Sequence, residues 1–278
     1  MPEIIAAAVM ALREKTNLPM MDCKRALVEA EGDEAKAIDI LRKAFKKVQV
    51  KRQDNATENG RIFVSIRDDS SEAAMVEVQC ESDPVGRGED LANFGEKLVS
   101  QLLNGSAASS PEELLQQLAP GDDGVTLQSL YEHLVSTIRE KIVVNRVTRV
   151  SGPVGGYVHH DYRTGVLFQA EGDGEDTSIL RDVAMHIAAL KPNVTRPEDL
   201  DASIVEAERT RLTEEARATG KPENILEKIV DGRMKTFYEE QGVLQVQKFA
   251  RDDSKSVSQA LAEKGYRASG FTRWVIGN

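Results

Sequence analysis

"GRIFVSIRDDSSEAAMVEVQC", residues 60–80, is the stretch that decides the fold of this chain. Ile62, Val64 and Ile66 alternate with other residues, which is the period of a β-strand with one buried face. The "RDDSS" that follows is typical of a turn, and a second alternating run then continues to Cys80. The stretch therefore predicts a β-hairpin with a polar loop.

The second strand of this hairpin leads directly into an acidic tip, Ser82–Val85. Apolar residues alternate with polar ones along the strand, so we expect the face that carries Glu77 and Gln79 to lie in solvent. Asp83-Pro84 then ends the strand, because proline has no N–H to donate to a sheet. Turn chemistry alone favours a simple function for this pair, with Asp83 as an N-cap and Pro84 at the next position.

The charge of the chain excludes one broad class of function. Its 278 residues include 36 Lys and Arg against 46 Asp and Glu, a formal net charge of −10. Because general nucleic-acid binding needs clustered basic residues, we expect no direct nucleic-acid partner. The one basic stretch, "RKAFKKVQVKR" at residues 42–52, is interpreted as part of a solvated linker over residues 47–58.

No pattern for a membrane or for export is found. No apolar run approaches the ~20 residues that a membrane-spanning helix needs, and the amino terminus lacks the basic start of a signal peptide. Cys23 and Cys80 lie at apolar-face positions, which suits small buried hydrophobes in a reducing compartment better than a disulfide. We therefore expect a cytoplasmic protein, with no membrane partner and no cofactor.

Residues 1–46 carry the pattern of a small three-helix bundle. Apolar residues recur at helical spacing in three segments, with Gly32 ending the second and Asp33 capping the third. A bundle of this size buries little core, so we interpret it as a recognition module rather than a catalytic body. The apolar positions are Ile5, Ala8, Val9 and Leu12, then Cys23, Ala26, Leu27 and Ala30, then Ala37, Ile38 and Leu41.

The rest of the chain repeats one pattern, a hairpin followed by a helix. In the first half, residues 59–150, an apolar helical stripe follows the hairpin, and a further helix is predicted over residues 127–144. In the second half, residues 151–278, a hairpin that turns at Arg163–Gly165 precedes another helix. This repetition predicts an α+β core built by internal duplication.

A strongly charged helical segment interrupts the second half at about residues 203–240. Gly220-Lys221-Pro222 is typical of a helix end followed by a new start. The segment therefore predicts an antiparallel helical hairpin that projects from the core, with two ordinary surface helices as the alternative.

Motifs for catalysis are missing. The chain has neither a G-x-x-x-x-G-K-[ST] phosphate loop nor an H-E-x-x-H pair. His159, His160 and Asp161 are metal-ligand types, but adjacent strand residues point to opposite faces, which disfavours convergence on one ion. His186 is offset from the apolar stripe of its helix, so we expect it towards an edge of the packed face, as either a structural or a functional histidine.

Five segments match the motifs of one bacterial protein family, in the family's order and across essentially the whole chain. "LREKTNLPMMDCKRALVEAEGDEAKAIDILRKA", residues 12–44, is similar to L-R-x-x-T-G-x-x-M-M-D-C-K-x-A-L followed by G-D and L-R. "CESDPVGR", residues 80–87, resembles C-x-T-D-F-V, and "AMHIAALKP", residues 184–192, resembles A-M-H-V-A-A-x-x-P. The other two segments are "GKPENILEKIVDGRMKTFYEE", residues 220–240, and "GFTRWVIG", residues 270–277. Together the five segments resemble bacterial elongation factor Ts proteins.

The resemblance implies a guanine-nucleotide exchange factor for elongation factor Tu, a protein without bond chemistry of its own. The N-terminal helices would form a ubiquitin-associated-type domain that docks on the partner's GTP-binding domain, and the helical hairpin would be the family's coiled coil. The family's T-D-F-V motif lies beside the partner's Mg²⁺ and helps to dislodge it; its positions here are Ser82, Asp83, Pro84 and Val85. Because Pro84 replaces the phenylalanine, we expect the acidic part of the tip to persist and its hydrophobic part to be weaker.

Partner contacts are also implied for the N-terminal motif. Met20, Asp22 and Lys24 match family positions that would contact elongation factor Tu. Within the same motif we expect Met21 and Cys23 to pack inward, and Asp22 and Lys24 to point outward.

His186 matches the family's helical histidine, which belongs to the partner-contacting surface of the second half. The resemblance leaves open a homodimer or a complex with two copies of each partner. The family's closing G-E-G-I-x-K has no counterpart after Gly277, so no contribution from such a tail is expected.

Two other classes of function remain as alternatives at this point. One is a ubiquitin-associated-type adaptor, which would use the N-terminal bundle and show no exchange activity. The other is a metal-dependent hydrolase that uses His159, His160 and Asp161.

Overall fold

The structure, a computed structural model, describes residues 5–16, 18–122, 124–218 and 222–277. These ranges form an α+β protein, and no helix among them is both long and apolar enough to cross a membrane. The helices are α1 (Ala6–Thr16), α2 (Met20–Glu29), α3 (Glu34–Arg52), α4 (Asp83–Arg87), α5 (Glu89–Asn104), α6 (Pro111–Leu115), α7 (Leu127–Ile138), α8 (Ser178–Leu190), α9 (Ala202–Arg217), α10 (Glu223–Glu240) and α11 (Val257–Ala262). The strands are β1 (Asn59–Ile66), β2 (Glu72–Cys80), β3 (Ile142–Ser151), β4 (Val154–Val158), β5 (Thr164–Gly172), β6 (Lys248–Phe249), β7 (Asp252–Ser256) and β8 (Tyr266–Val275).

The first three helices form a small bundle, as the sequence predicts. Leu12 and Cys23 are buried at its centre. The Asp33 carboxylate caps α3 by accepting a hydrogen bond from the Lys36 N–H at 3.1 Å. Gly32, just after α2, has a φ of +89°, which glycine adopts at helix ends without strain. The predicted N-cap of α3 is therefore confirmed, whereas the predicted end of α2 is wrong by one residue, because Glu31, with a φ of +55°, directly follows the C-cap Ala30 and Gly32 comes after it.

The stretch interpreted as a linker, residues 47–58, is partly helical. α3 continues to Arg52, so the third helix of the bundle extends well into this stretch. Phe45 and Val48 pack on the core of the first half, and the Phe45 ring centre lies 6.0 Å from that of Tyr131 on α7. Since these apolar residues give the basic segment a buried side, it continues as a helix and not as a solvated linker.

The first sheet has the order β1-β2-β3, and the predicted hairpin of β1 and β2 is confirmed. The helix predicted over residues 127–144 is wrong in its last part. It ends at Ile138, where the next residue, Arg139, has a left-handed φ of +61°. The β-branched run that begins at Ile142 then pairs with β2 as a third strand.

The expectation of a solvent-exposed face on β2 is wrong. α5 packs on one face of the strand and the second sheet packs on the other, so both faces are covered. Glu77 is 0% exposed. Its carboxylate forms an ion pair with Arg146 on β3 and accepts a hydrogen bond from Gln79 Nε2 at 2.7 Å. Alternation along one strand does not reveal a partner on another strand.

The second sheet has the order β4-β5-β8, and the hairpin of β4 and β5 is confirmed. Its turn lies at residues 159–163 and not at Arg163–Gly165, because Gly165 already pairs with Val158. α8 covers one face of this sheet. A Cβ at Gly155 would lie 2.2 Å from the Leu180 carbonyl carbon, so only glycine permits this close approach of strand and helix.

The two sheets pack face to face around one apolar layer. Each half of the core contains a hairpin, helices on the outer face and a returning strand, β3 in the first half and β8 in the second. This order agrees with the predicted duplication pattern. The buried residues of the layer are Ile62, Ala73, Met75, Val154, Leu167 and Ile276.

α9 and α10, which follow α8 along the chain and precede the closing strands, pack against each other. Leu212 on α9 and Val230 and Met234 on α10 are buried between them. α10 begins after Pro222, while Gly220 and Lys221 of the predicted corner lie outside the described residues. A small hairpin of β6 and β7, which the sequence did not indicate, follows α10.

Candidate partner-binding site

The acidic tip, Ser82–Val85, lies where β2 runs into the short helix α4. Ser82 is at the N-cap position, Asp83 is the first helical residue, and Pro84 follows in the first turn. The interpretation of Asp83 as the N-cap is therefore wrong by one residue. Asp83 and Pro84 are exposed, whereas Val85 is half-buried against the core of the first half. The tip thus presents an acid and a proline to solvent.

The carboxylate of Asp83 is only weakly held within the chain. It accepts a hydrogen bond from Arg87 Nε at 2.8 Å, and the two side chains are 54% and 64% exposed. Exposed pairs at this helical spacing contribute about 0.3–0.5 kcal/mol. Asp83 can therefore exchange Arg87 for a group on another molecule at little cost.

The backbone beneath the tip is packed closely. Gly86 in α4 is buried, and a Cβ there would lie 3.1 Å from the Gly60 backbone nitrogen at the start of β1. Gly60 has a φ of +141°, and its own Cβ would lie 2.1 Å from the Val78 carbonyl oxygen. Two glycines in contact thus allow α4 to lie directly on β1.

Hydrogen bonds to Glu140 hold the first residue of the tip. The Ser82 hydroxyl donates to Glu140 Oε1 at 2.7 Å, and the Ser82 N–H donates to Oε2 at 3.1 Å. The Cys80 thiol donates to the Ser82 carbonyl oxygen at 3.2 Å. Burial, together with the nearby charge of Glu140, raises the pKa of Cys80 to about 12, so this thiol stays protonated at neutral pH.

The preceding residue, Glu81, is tied to three parts of the chain. Its carboxylate accepts hydrogen bonds from Arg52 and Asn55 and from the Lys141 N–H. Burial alone would raise the pKa of Glu81, but these donors hold it below its usual range. No motif in the sequence indicates Glu81 and Glu140 as site residues. The position of Glu81 directly before the tip is the only local signal, and Glu140 lies 58 residues away from Ser82.

His186 lies in the core of the second half, and the expectation that it lies towards an edge of the packed face is wrong. Its side chain is 1% exposed. Nε2 is 3.0 Å from Gln247 Oε1, and Nδ1 accepts a hydrogen bond from the Ala250 N–H at 3.2 Å. Both contacts are satisfied by the neutral imidazole with its proton on Nε2. This geometry favours a structural role for His186 over a partner-contacting one, because the side chain has no free surface with which to contact a partner.

The stability of the protein is expected to fall as the pH drops below about 6.5, and His186 contributes to this fall. Burial lowers the pKa of His186 from its usual 6.5, although the hydrogen bond to Gln247 opposes the shift. The unfolded chain therefore binds a proton at a higher pH than the folded chain does, and protonation favours unfolding. Urea unfolding at pH 7.5 and at pH values down to about 5.5 measures the slope. A His186→Gln variant should have a shallower slope, and an unchanged slope would contradict this role.

The N-terminal motif presents its residues differently from the expectation. Cys23 is buried and Lys24 is exposed, as predicted. Met21, expected to pack inward, is 63% exposed, and Met20 beside it is 43% exposed. Asp22 is half-buried and pairs with Arg25 on the same helix. α2 therefore carries two adjacent exposed methionines, a surface that suits an apolar contact.

His159 and His160 lie in the β4–β5 turn and not on a strand, so the argument that they must point to opposite faces does not apply. Their ring centres are 4.2 Å apart. Tyr157 OH lies 3.1 Å from His159 Nδ1, and the Asp161 carboxylate accepts a hydrogen bond from the Arg163 N–H within the turn. Among the described residues there is no group of three or more such side chains that could hold a metal ion.

The expected site residues fall on three separate elements. Ser82–Val85 are together at the tip, Met20, Asp22 and Lys24 are on α2, and His186 is inside the second half. The exposed residues of α2 and of the tip are available to a partner. Their side chains suit binding better than bond chemistry.

Comparison with known proteins identifies the family. The family model described as "Elongation factor TS" matches residues 81–278. "Elongation factor Ts" of Paenarthrobacter aurescens (strain TC1) is 39% identical over 285 residues, which cover 100% of both chains. "Elongation factor Ts" of Hyphomonas neptunium (strain ATCC 15444) is 38% identical over 284 residues, covering 100% of this chain and 93% of the relative. That of a Nitratiruptor species is 39% identical over 283 residues, covering 99% of this chain and 91% of the relative.

These matches place the protein among the translation elongation factors. The chain belongs to the elongation factor Ts family, and the match extends over its full length.

Proposed function

We propose that this protein binds elongation factor Tu in its GDP form and accelerates release of the nucleotide, so that GTP can bind. The observation that carries the proposal is the acidic tip, which exposes Asp83 and Pro84 at the end of a buried strand on a closely packed base. The tip is in the position of the family motif that lies beside the partner's Mg²⁺.

The mechanism follows from linkage and requires no active site. A binding partner shifts an equilibrium only by its differential affinity, so this protein must bind nucleotide-free elongation factor Tu better than the GDP complex. By reciprocity, GDP and this protein weaken the binding of each other by the same factor. GDP is held largely through phosphate contacts to backbone N–H groups and Mg²⁺. A carboxylate placed beside that site competes with the phosphates for the ion and for the N–H donors.

A second contact in the proposal is the exposed methionine surface on α2. Met20 and Met21 are the apolar part of this surface, and Lys24 supplies a cation next to it. In the proposed complex this surface docks on the GTP-binding domain and brings the tip to the nucleotide site. His186 would act indirectly, by fixing α8 against the segment of Gln247–Ala250.

Release of a fluorescent GDP analogue from purified elongation factor Tu tests the proposal. We expect catalytic amounts of this protein to accelerate release. An Asp83→Asn variant should lower the maximal rate several-fold, because the amide is isosteric with the carboxylate but has no charge for the ion.

Asp68→Asn is the matched control, since Asp68 is exposed in the loop at the opposite end of the same hairpin. It should behave as the unmodified protein does. Equal rates for the Asp83 and Asp68 variants would exclude Asp83 from the mechanism. Binding to elongation factor Tu without any acceleration would favour the adaptor that remains as the alternative, for which the exposed methionines of α2 would suffice.

A further inference from the structure

Asp83 itself has no contact that fixes its direction. Its only described ion-pair partner is Arg87 on the same short helix, and both side chains are largely exposed. A helix of this length is not stable by itself, because the free-energy cost of nucleation exceeds the stabilisation from a single turn of hydrogen bonds. The orientation of the tip must therefore come from residues around it.

Two carboxylates supply this orientation through crossed hydrogen bonds. Glu140, just before β3, accepts both the hydroxyl and the N–H of Ser82. Glu81, just after β2, accepts the N–H of Lys141 in return. The Glu140 carboxylate thus holds the backbone at the end of β2, and the Glu81 carboxylate holds the backbone at the start of β3. We call the four residues Glu81, Ser82, Glu140 and Lys141 the tip clamp.

Further contacts tie the tip clamp to the N-terminal bundle. Arg52, the last residue of α3, donates from Nη1 to both oxygens of the Glu81 carboxylate, at 3.0 and 2.8 Å. Asn55 Nδ2 donates to the same carboxylate at 2.8 Å. Lys141 Nζ donates to the carbonyl oxygen of Gln53 at 2.6 Å. The end of α3 is therefore fastened to the residue that directly precedes the tip.

The strength of these bonds suits a positioning role. The Arg52 and Glu81 side chains are only 34% and 18% exposed, so water screens the pair less than it screens the Asp83–Arg87 pair. Hydrogen bonds to charged acceptors are shorter and stronger than neutral ones. A group held by several such bonds loses little entropy when a partner binds.

We propose that Glu81 and Glu140 are positioning residues, which hold the tip in the orientation needed at the nucleotide site, and that Arg52 links this orientation to the N-terminal bundle. The proposal rests on the exchange function proposed above. Docking of the bundle on a partner would then fix the direction of α3 and, through Arg52 and Glu81, that of the tip.

Glu140→Gln tests the clamp, because the amide keeps one acceptor for Ser82 but places an NH₂ donor against the second Ser82 donor. Amide hydrogen exchange of the free protein should rise about tenfold over residues 82–88 and stay unchanged in α5. In the GDP-release assay the maximal rate should fall about three- to tenfold, while the half-saturating concentration changes less than about twofold. Glu112→Gln, at an exposed carboxylate on α6, is the matched control.

Arg52 variants test the link from the other side of the clamp. Arg52→Ala should lower the maximal rate in the same direction, and Arg52→Lys should restore part of it, because lysine keeps the charge but lacks the planar, preorganised guanidinium. A higher half-saturating concentration with an unchanged maximal rate would overturn the proposal, since the clamp would then serve affinity alone. Unchanged amide exchange in Glu140→Gln would also overturn it. If the unmodified protein does not accelerate GDP release, the proposed function fails, and the amide exchange result alone decides whether the clamp holds the tip.

Discussion

Replacement of Arg146 by methionine is expected to lower the free energy of unfolding by about 3–5 kcal/mol, the cost of leaving a buried charge without its partner. Glu77 is 0% exposed on the central strand of the first sheet. Arg146 Nε donates to its carboxylate, and the Arg146 guanidinium also lies 4.9 Å from the ring centre of Trp274 on β8. Arg146 therefore joins β2, β3 and the second sheet at one point. Methionine fills a similar volume but leaves the carboxylate unpaired.

Glu77→Gln should cost less, about 1–2 kcal/mol. The amide oxygen can still accept from Gln79 Nε2 and Asn145 Nδ2, which both donate to the Glu77 carboxylate. The guanidinium that loses its partner is 33% exposed and keeps its contact with Trp274, so water and the indole ring compensate part of the loss. The two single variants differ in their expected cost because the Glu77 carboxylate is fully buried whereas the Arg146 guanidinium is partly exposed.

Urea unfolding followed by circular dichroism and by fluorescence of Trp274, the one tryptophan of the chain, measures these costs. The double variant Glu77→Gln with Arg146→Met should regain more than half of the loss in Arg146→Met, because no unpaired charge remains. Arg149→Met is the matched control on the same strand. Its partner Glu72 is 24% exposed and keeps a second ion pair with Arg67, so the loss should be clearly smaller. Equal losses for Arg146→Met and Arg149→Met would contradict the account of Glu77.

The interface between the two sheets also explains how much of the fold the sequence predicts. The hairpins, the helix stripes and the Asp33 cap of α3 are local patterns, and they are confirmed. The burial of Glu77 is not a local property. Alternation is identical for a strand that faces water and for one that faces a second sheet, and only the packing of the second sheet on β2 distinguishes them.

The sequence does not predict the third strand, β3, for a related reason. The segment 127–144 has apolar residues at helical spacing up to Ile138, and Ile142 continues that spacing by coincidence. What ends the helix is the left-handed conformation of Arg139, a residue without the glycine signal of a helix end. The pairing of β3 with β2, which stabilises the strand over the helix in this segment, is a long-range contact.

For the candidate site, the sequence indicated the tip but not its support. The motif around Asp83 is contiguous, so the resemblance could identify it. Its support comes from Arg52, Asn55 and Glu140, which lie far from the tip along the chain. No distinctive neighbouring residues mark these three positions in the sequence. His186 was found by the same resemblance, but the motif did not distinguish a residue that contacts a partner from one that fixes α8 in the core.

Pro84→Phe is expected to raise the maximal rate of GDP release about tenfold. Pro84 is exposed in the first turn of α4. The resemblance places it where the motif T-D-F-V has phenylalanine. Full burial of a phenylalanine side chain contributes about 1.5–3 kcal/mol, and tenfold corresponds to about 1.4 kcal/mol. A ring that becomes buried only in the nucleotide-free complex would stabilise that complex selectively, as exchange requires.

The substitution should leave the free protein folded. Pro84 projects into solvent, so the larger side chain meets no buried neighbour, and the loss of proline's restricted backbone costs about 0.4–1 kcal/mol. Thermal unfolding checks this point independently of exchange.

Pro84→Ala separates the ring from the proline. It removes the same backbone restriction without adding apolar surface, so its GDP-release rate should stay within about twofold of the unmodified protein. If alanine raised the rate as much as phenylalanine, the restricted backbone of Pro84 would be the limiting feature and the ring would add nothing. An unchanged or slower rate in Pro84→Phe, with elongation factor Tu from the same organism, would mean that the site on the partner fits proline and has no space for the ring.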